Sequence, residues 1–233
     1  MNVVITGASK GIGKSIAVKY VEEGCNIFIC ARNKDDLEKT VEELSIIDNT
    51  VEIFYSVVDM QNKEDVKIFA EDIKKEFGQI DVLINNAGSF MASNVYNEED
   101  GILEEMIASN LYSAYYLTRA LLPIMIAQKS GHIFNICSVA SLKAYENGGS
   151  YSISKFALLG FSKNLRQELM PFHIKVTAVL PGATMSSSWA DSNIDENRIM
   201  QSTDISNIIW QVNQLSPQAV VEEIIMRPML GDL

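Results

Sequence analysis

Short β-branched runs alternate with longer amphipathic stretches along the whole chain, and no other feature restricts its fold so tightly. The apolar runs fall at residues 3–6, 26–30, 51–58, 80–85, 132–137, 175–180 and 220–226. Between them, apolar residues recur at helical spacing over 12–23, 35–44, 63–77, 101–128, 151–169 and 204–215. Strands that are apolar on both faces need cover on both faces, and helices placed between successive strands supply it. Such crossovers are right-handed, so the expected architecture is α/β, a doubly wound seven-stranded parallel sheet forming a single domain over residues 1–233. Its ligand crevice would lie beyond the carboxyl ends of the strands. Residues 183–203 are polar and carry no strand pattern, and directly after a strand end they read as a short substrate lid.

A chain of 233 residues can bury roughly 70–75% of its unfolded surface, enough to fold without disulfides or metal. With 47% hydrophobic and 21% charged residues, it is neither disordered nor fibrous. Asp and Glu total 30 against 19 for Lys and Arg, a formal charge of −11. Such a surface repels phosphate backbones and anionic lipid, so neither nucleic acid nor a membrane is an expected partner. Cys25, Cys30 and Cys137 each sit in or beside an apolar run and are expected to be buried free thiols in a reducing compartment. The only histidines are His132 and His173, and there is no Cys-x-x-Cys, so no metal site is expected. The opening Met1-Asn2-Val3-Val4-Ile5-Thr6 enters a strand without a basic leader, and no apolar run of about 18 residues occurs. The expectation is a cytoplasmic protein.

The first strand runs into Thr6-Gly7-Ala8-Ser9-Lys10-Gly11-Ile12-Gly13, and a helical pattern begins at once. Gly7, Gly11 and Gly13 let the backbone turn tightly and approach a pyrophosphate, while the free amides of the new helix point at the anion. An ordinary glycine turn is the plain alternative, but the place between the first strand and first helix favours phosphate. Dinucleotide sites that prefer NAD carry Asp or Glu at the end of the second strand. Here that strand ends in Ala31-Arg32, without a carboxylate, and Arg32 can grip a 2′-phosphate in fork geometry. Lys10 offers a second cation, unless both side chains merely point into solvent. The pair reads as a preference for NADP.

Tyr151-Ser152-Ile153-Ser154-Lys155 places a lysine one helical turn from a tyrosine. An ammonium beside a phenol favours the phenolate, which would bring the Tyr151 pKa down from near 10 towards working pH. Such a tyrosine can give a proton to a carbonyl oxygen or take one from an alcohol. Alone, the motif is unspecific; its context adds weight. Ser138 closes the strand at 132–137, where its hydroxyl can bind a developing oxyanion. Asn85-Asn86-Ala87-Gly88 closes another strand, Asn110 lies in the helical stretch that follows, and Pro181-Gly182 closes the strand before the polar loop.

With these residues in this order, the sequence resembles the short-chain dehydrogenase/reductase family over nearly its whole length. The resemblance implies a Rossmann fold with NADP(H) as cofactor, Tyr151 as general acid and base, and Ser138 orienting a substrate carbonyl. It implies that Lys155 lowers the tyrosine pKa and binds the nicotinamide ribose, while Asn110 holds a water relaying protons to Lys155. The same resemblance gives Gly7, Ser9, Lys10, Gly11, Ile12 and Gly13 to the phosphates, and Asp59 and Met60 to the adenine. Asn86, Ala87 and Gly88 would line the cofactor, and Pro181, Gly182 and Thr184 would position its nicotinamide. It also implies a homodimer or homotetramer, paired through the helical stretches 101–128 and 151–169.

The expected activity is therefore NADP(H)-dependent hydride transfer to or from a small carbonyl or alcohol substrate. A 3-oxoacyl-acyl-carrier-protein reductase is the alternative within the family. Against it, the last strand runs out into Arg227-Pro228-Met229-Leu230-Gly231-Asp232 rather than the Asp-Gly-Gly common in such reductases. Lys129 is present, but Met170-Pro171-Phe172-His173 stands where a second basic group would dock an acidic carrier. A module that senses NADP without turnover is the alternative of another class, and it would have no need of Asn110, Ser138, Tyr151 and Lys155 together.

Overall fold

The computed structural model describes residues 1–185 and 195–232. All seven runs form strands: β1 (Asn2–Thr6), β2 (Asn26–Ala31), β3 (Ile53–Val57), β4 (Val82–Asn85), β5 (Gly131–Ile136), β6 (Ile174–Pro181) and β7 (Glu223–Met226). They pair in parallel throughout, in the order β3-β2-β1-β4-β5-β6-β7. The expected doubly wound sheet is thus present, and the strand order reverses between β1 and β4, where such folds open their crevice. The edge strands β3 and β7 are shorter than their apolar runs. They have a ladder on one side only, so their ends gain less from pairing.

The helices are α1 (Gly11–Glu22), α2 (Lys34–Ile47), α3 (Lys63–Glu76), α4 (Ile102–Ile107), α5 (Ser113–Gln128), α6 (Gly149–Leu169) and α7 (Ser202–Asn213). Asn33 and Asn62 cap α2 and α3, accepting from Asp36 N and Glu64 N at 2.9 Å each. The period-2 alternation of the central strands divides the core. Val3, Ile5, Ile27 and Ile29 pack with α1 and α7 residues such as Tyr20 and Ile209. Val4 and Phe28 point the other way, against Phe69, Leu117 and Leu165. The stretch expected as one helix over 101–128 is broken by a π-helical turn at Ala108–Tyr112, which contains Asn110. Such turns often mark functional sites.

Cys25, Cys30 and Cys137 are free and buried. His132 is buried with Nε2 2.8 Å from Thr177 Oγ1. Because the Thr177 hydroxyl donates to Val221 O at 2.6 Å, Nε2 carries the imidazole proton. Burial pushes the His132 pKa down to about 3, so it stays neutral and serves as packing. Among the described residues, no helix is long and apolar enough to cross a membrane, and no cluster of His, Cys, Asp or Glu could hold a metal.

Candidate active site

A cleft of about 730 Å³ runs along the carboxyl ends of the strands, within the size range of ligand sites. Every residue assigned above to cofactor lines it, as do Ser138, Tyr151 and Lys155; Asn110 lies just behind the wall. At its middle, β1 turns through Gly7 at φ +66° and Gly11 at φ +54°, conformations that suit glycine. A Cβ on Gly13 would collide with Gly7 O. Helix α1 opens without a side-chain cap and without an acidic residue in its first turn, so its leading amides and its dipole are left for an anion.

Thr6, the first residue of the glycine motif, ties this loop to the segment after β4. Its Oγ1 accepts from Asn86 N at 3.0 Å and Ala87 N at 2.9 Å. The Asn86 carboxamide donates to Thr6 O and Gly7 O, so its side chain braces the glycine loop. Met60 is buried against Cys30, and Asp59 Oδ1 accepts from Gln61 N at 3.0 Å, which fixes the turn after β3.

At the end of β2, Arg32 is exposed and, among the described residues, makes no ion pair or side-chain hydrogen bond. Lys10 is not similarly free: its Nζ lies 2.7 Å from Asp36 Oδ2. The strand end itself has no carboxylate, but the cleft does, because the first turn of α2 brings Asp36 to the same wall. That placement depends on the helix entry angle and has no signature in the strand.

The other end of the cleft joins β4, β5, β6 and α6. Ser138 caps a short 3-10 turn after β5, where its Oγ accepts from Ala140 N at 3.1 Å. Its hydroxyl proton is therefore left to donate. Lys155 Nζ donates to Ile136 O at 2.9 Å and lies 5.8 Å from the centre of the Tyr151 ring. Burial pushes the Lys155 pKa down to about 8. A Cβ on Gly88 would stand 2.5 Å from Asn110 Oδ1, so only glycine leaves the Asn110 carboxamide its place.

One expectation is corrected here. Tyr151 is held above the usual phenol range, not below it. Burial of its hydroxyl outweighs the hydrogen bond from Ser138, and nearby Cys137 adds to the rise. Lys155, itself desolvated and tied to Ile136 O, does not reverse that. The Asn110 carboxamide has both its protons engaged, with Ser89 O at 3.0 Å and Ser154 Oγ at 2.9 Å, while Oδ1 accepts from Ser89 N at 2.9 Å. It braces helix α6 through Ser154.

Phe90 packs edge-on against Tyr151 at 4.9 Å between ring centres, and Tyr145 lines the same end. Burial, with Tyr151 close by, pushes the Tyr145 pKa up to about 12. Glu98 fixes the start of α6: its carboxylate accepts from Ser150 Oγ at 2.5 Å and Ser93 Oγ at 2.7 Å. Phe90, Ser93 and Glu98 sit in an irregular segment between β4 and α4, where no periodicity announces a role. Pro181 ends β6, Gly182 N donates to Met226 O at 2.8 Å, and Thr184 Oγ1 folds back onto Gly182 O at 3.0 Å. Of the segment 183–203, the two stems are joined by Met200 N to Ala183 O and Met185 N to Met200 O. Residues 186–194, with Trp189, lie outside the described residues.

The family model described as short chain dehydrogenase matches residues 1–197. An uncharacterized oxidoreductase of Staphylococcus saprophyticus is 31% identical over 226 residues, which cover 97% of this chain and 96% of the relative. An alcohol dehydrogenase from the archaeon Thermococcus sibiricus, solved with 5-hydroxy-NADP, is 26% identical with a TM-score of 0.91, covering 100% of this chain and 98% of that one. The closed form of a serine dehydrogenase complexed with NADP+ is 27% identical with a TM-score of 0.89, covering 100% and 97%. By sequence motif, fold and match across most of its length, this chain belongs to the short chain dehydrogenase family.

Proposed function

We propose that the protein is an NADP(H)-dependent oxidoreductase acting on a small carbonyl or alcohol, with Tyr151 as the proton donor and acceptor. The observation that carries this reading is one cleft with an uncapped helix start at its centre and the Ser138, Tyr151 and Lys155 side chains at one end. The solved relatives complexed with NADP add support. The site suits the cofactor: the open α1 amides take the pyrophosphate, and Arg32 takes a 2′-phosphate. When bound there, the nicotinamide would give or accept the hydride.

The remaining chemistry belongs to the chain. Ser138 Oγ, already accepting from Ala140 N, donates its proton to the substrate oxygen. Tyr151, kept protonated by its burial, is a strong enough acid for an oxygen that becomes alkoxide and is held neutral until then. Lys155 has one N–H on Ile136 O and offers the others to ribose hydroxyls. Phe90 keeps water from one face of Tyr151. Screening the loss of NADPH absorbance against ketones, diketones, sugars and acyl thioesters tests the reading. Turnover with at least one carbonyl class is expected, whereas tight NADPH binding with no turnover in any would make the protein a sensor.

Tyr112, Ile153 and Phe156 stand exposed on the π turn and α6. With the family's habit of pairing these helices, a homodimer or homotetramer is proposed. Light scattering at micromolar concentration should return two or four chains per particle; a monomer would reject the pairing.

A further inference from the structure

The ion pair between Lys10 and Asp36 joins the glycine loop to α2 in the part of the cleft that holds Arg32. It is held on both sides. Asp36 N donates to Asn33 Oδ1 at 2.9 Å, and the buried Thr40 hydroxyl lies 2.9 Å from Asp36 O and 3.1 Å from Ser9 O. Thr40 therefore fixes the turn carrying Asp36 against the loop carrying Lys10. The backbones carrying the two partners are thereby fixed, while the Lys10 side chain itself stays 55% exposed.

Taking the NADP(H) reading above as given, we propose that Asp36 sets the margin by which this protein prefers NADP(H) to NAD(H). A 2′-phosphate entering beside Arg32 meets Lys10 already paired, and meets a fixed carboxylate of its own sign. With Asp36 counted, the three charges there sum to +1 rather than the +2 of Arg32 and Lys10 alone. A ribose 2′-hydroxyl carries no charge and is nearly indifferent to that sum. Asp36 thus weakens NADP(H) selectively, and the carboxylate restrains a preference that Arg32 creates.

Titration calorimetry with NADP+, NAD+ and 2′,5′-ADP tests this on the wild type, Asp36→Asn, Lys10→Met and the double variant. Asp36→Asn frees one charge-assisted contact, so NADP+ and 2′,5′-ADP should bind about tenfold tighter, and NAD+ within about twofold of wild type. In the Lys10→Met background the gain should shrink to the part that comes from removing a carboxylate of the phosphate's own sign, because no lysine is left to release. Asp36→Ser, which also suits a first helical turn, should repeat the result if asparagine disturbs folding. Unchanged or weaker NADP+ binding by Asp36→Asn, in a protein whose wild type still prefers NADP+, overturns the proposal. A wild type that binds NAD+ as tightly as NADP+ instead overturns the cofactor reading on which it rests.

Discussion

Replacing Tyr151 by phenylalanine should lower kcat at least ~10²-fold while leaving the fold and NADPH binding intact. The change removes one hydroxyl from a ring that keeps its contact with Phe90 at 4.9 Å, so packing at the site is preserved. The lost group is a buried acid at that end of the cleft with Ser138 as its hydroxyl partner. Its raised pKa has a direct consequence: phenylalanine should not shift the neutral-pH behaviour of the resting protein, because Tyr151 is un-ionised there in either case. Ser138→Ala should cost comparably, since the substrate oxygen then loses its second donor. Steady-state rates beside a fluorescence titration with NADPH separate the two effects. Near-normal turnover by Tyr151→Phe would remove Tyr151 from the chemistry.

The architecture was legible because hydrophobic periodicity is local and strong, and all seven apolar runs became strands of one parallel sheet. The glycine loop and the Tyr151 to Lys155 turn were legible for a related reason, since each needs particular residues at fixed short spacing. What escaped depends on contacts between distant segments. Nothing around Thr6 shows that its hydroxyl will bind two amides of the segment after β4. The electrostatics at Tyr151 also escaped, because spacing shows that Lys155 is near but not that both groups are desolvated. Asp36 falls in the same class: four residues beyond Arg32 in sequence, it reads as an ordinary first-turn helix carboxylate until α2 is folded against the glycine loop.

The second large effect concerns cofactor choice. Arg32 is unpaired among the described residues and can grip two phosphate oxygens, an interaction of about 1.5–3 kcal/mol per charge-assisted bond. Lys10 contributes less than a free lysine would, because Asp36 holds it at 2.7 Å. The expected preference for NADPH over NADH is therefore on the order of 10²-fold, the lower part of what two free cations would give. Arg32→Asp removes the attraction and adds a second carboxylate beside Asp36, so kcat/KM with NADPH should fall at least ~10²-fold and the preference should pass to NADH. Equal kcat/KM for both cofactors in the unmodified protein would show that Arg32 faces solvent only.

In the proposed reaction this cleft carries hydride transfer to a carbonyl carbon, with Tyr151 supplying the proton. Following the transferred atom tests it most directly. A carbonyl compound that the protein turns over is incubated with NADPH carrying deuterium at both positions of nicotinamide C4, and the product is examined by mass spectrometry. The account predicts a single deuterium on the carbinol carbon, a hydroxyl proton drawn from water, and loss of labelled product in step with activity in Tyr151→Phe. Oxidation of the cofactor with no deuterium in the product, or labelled product formed equally fast by Tyr151→Phe, would contradict it.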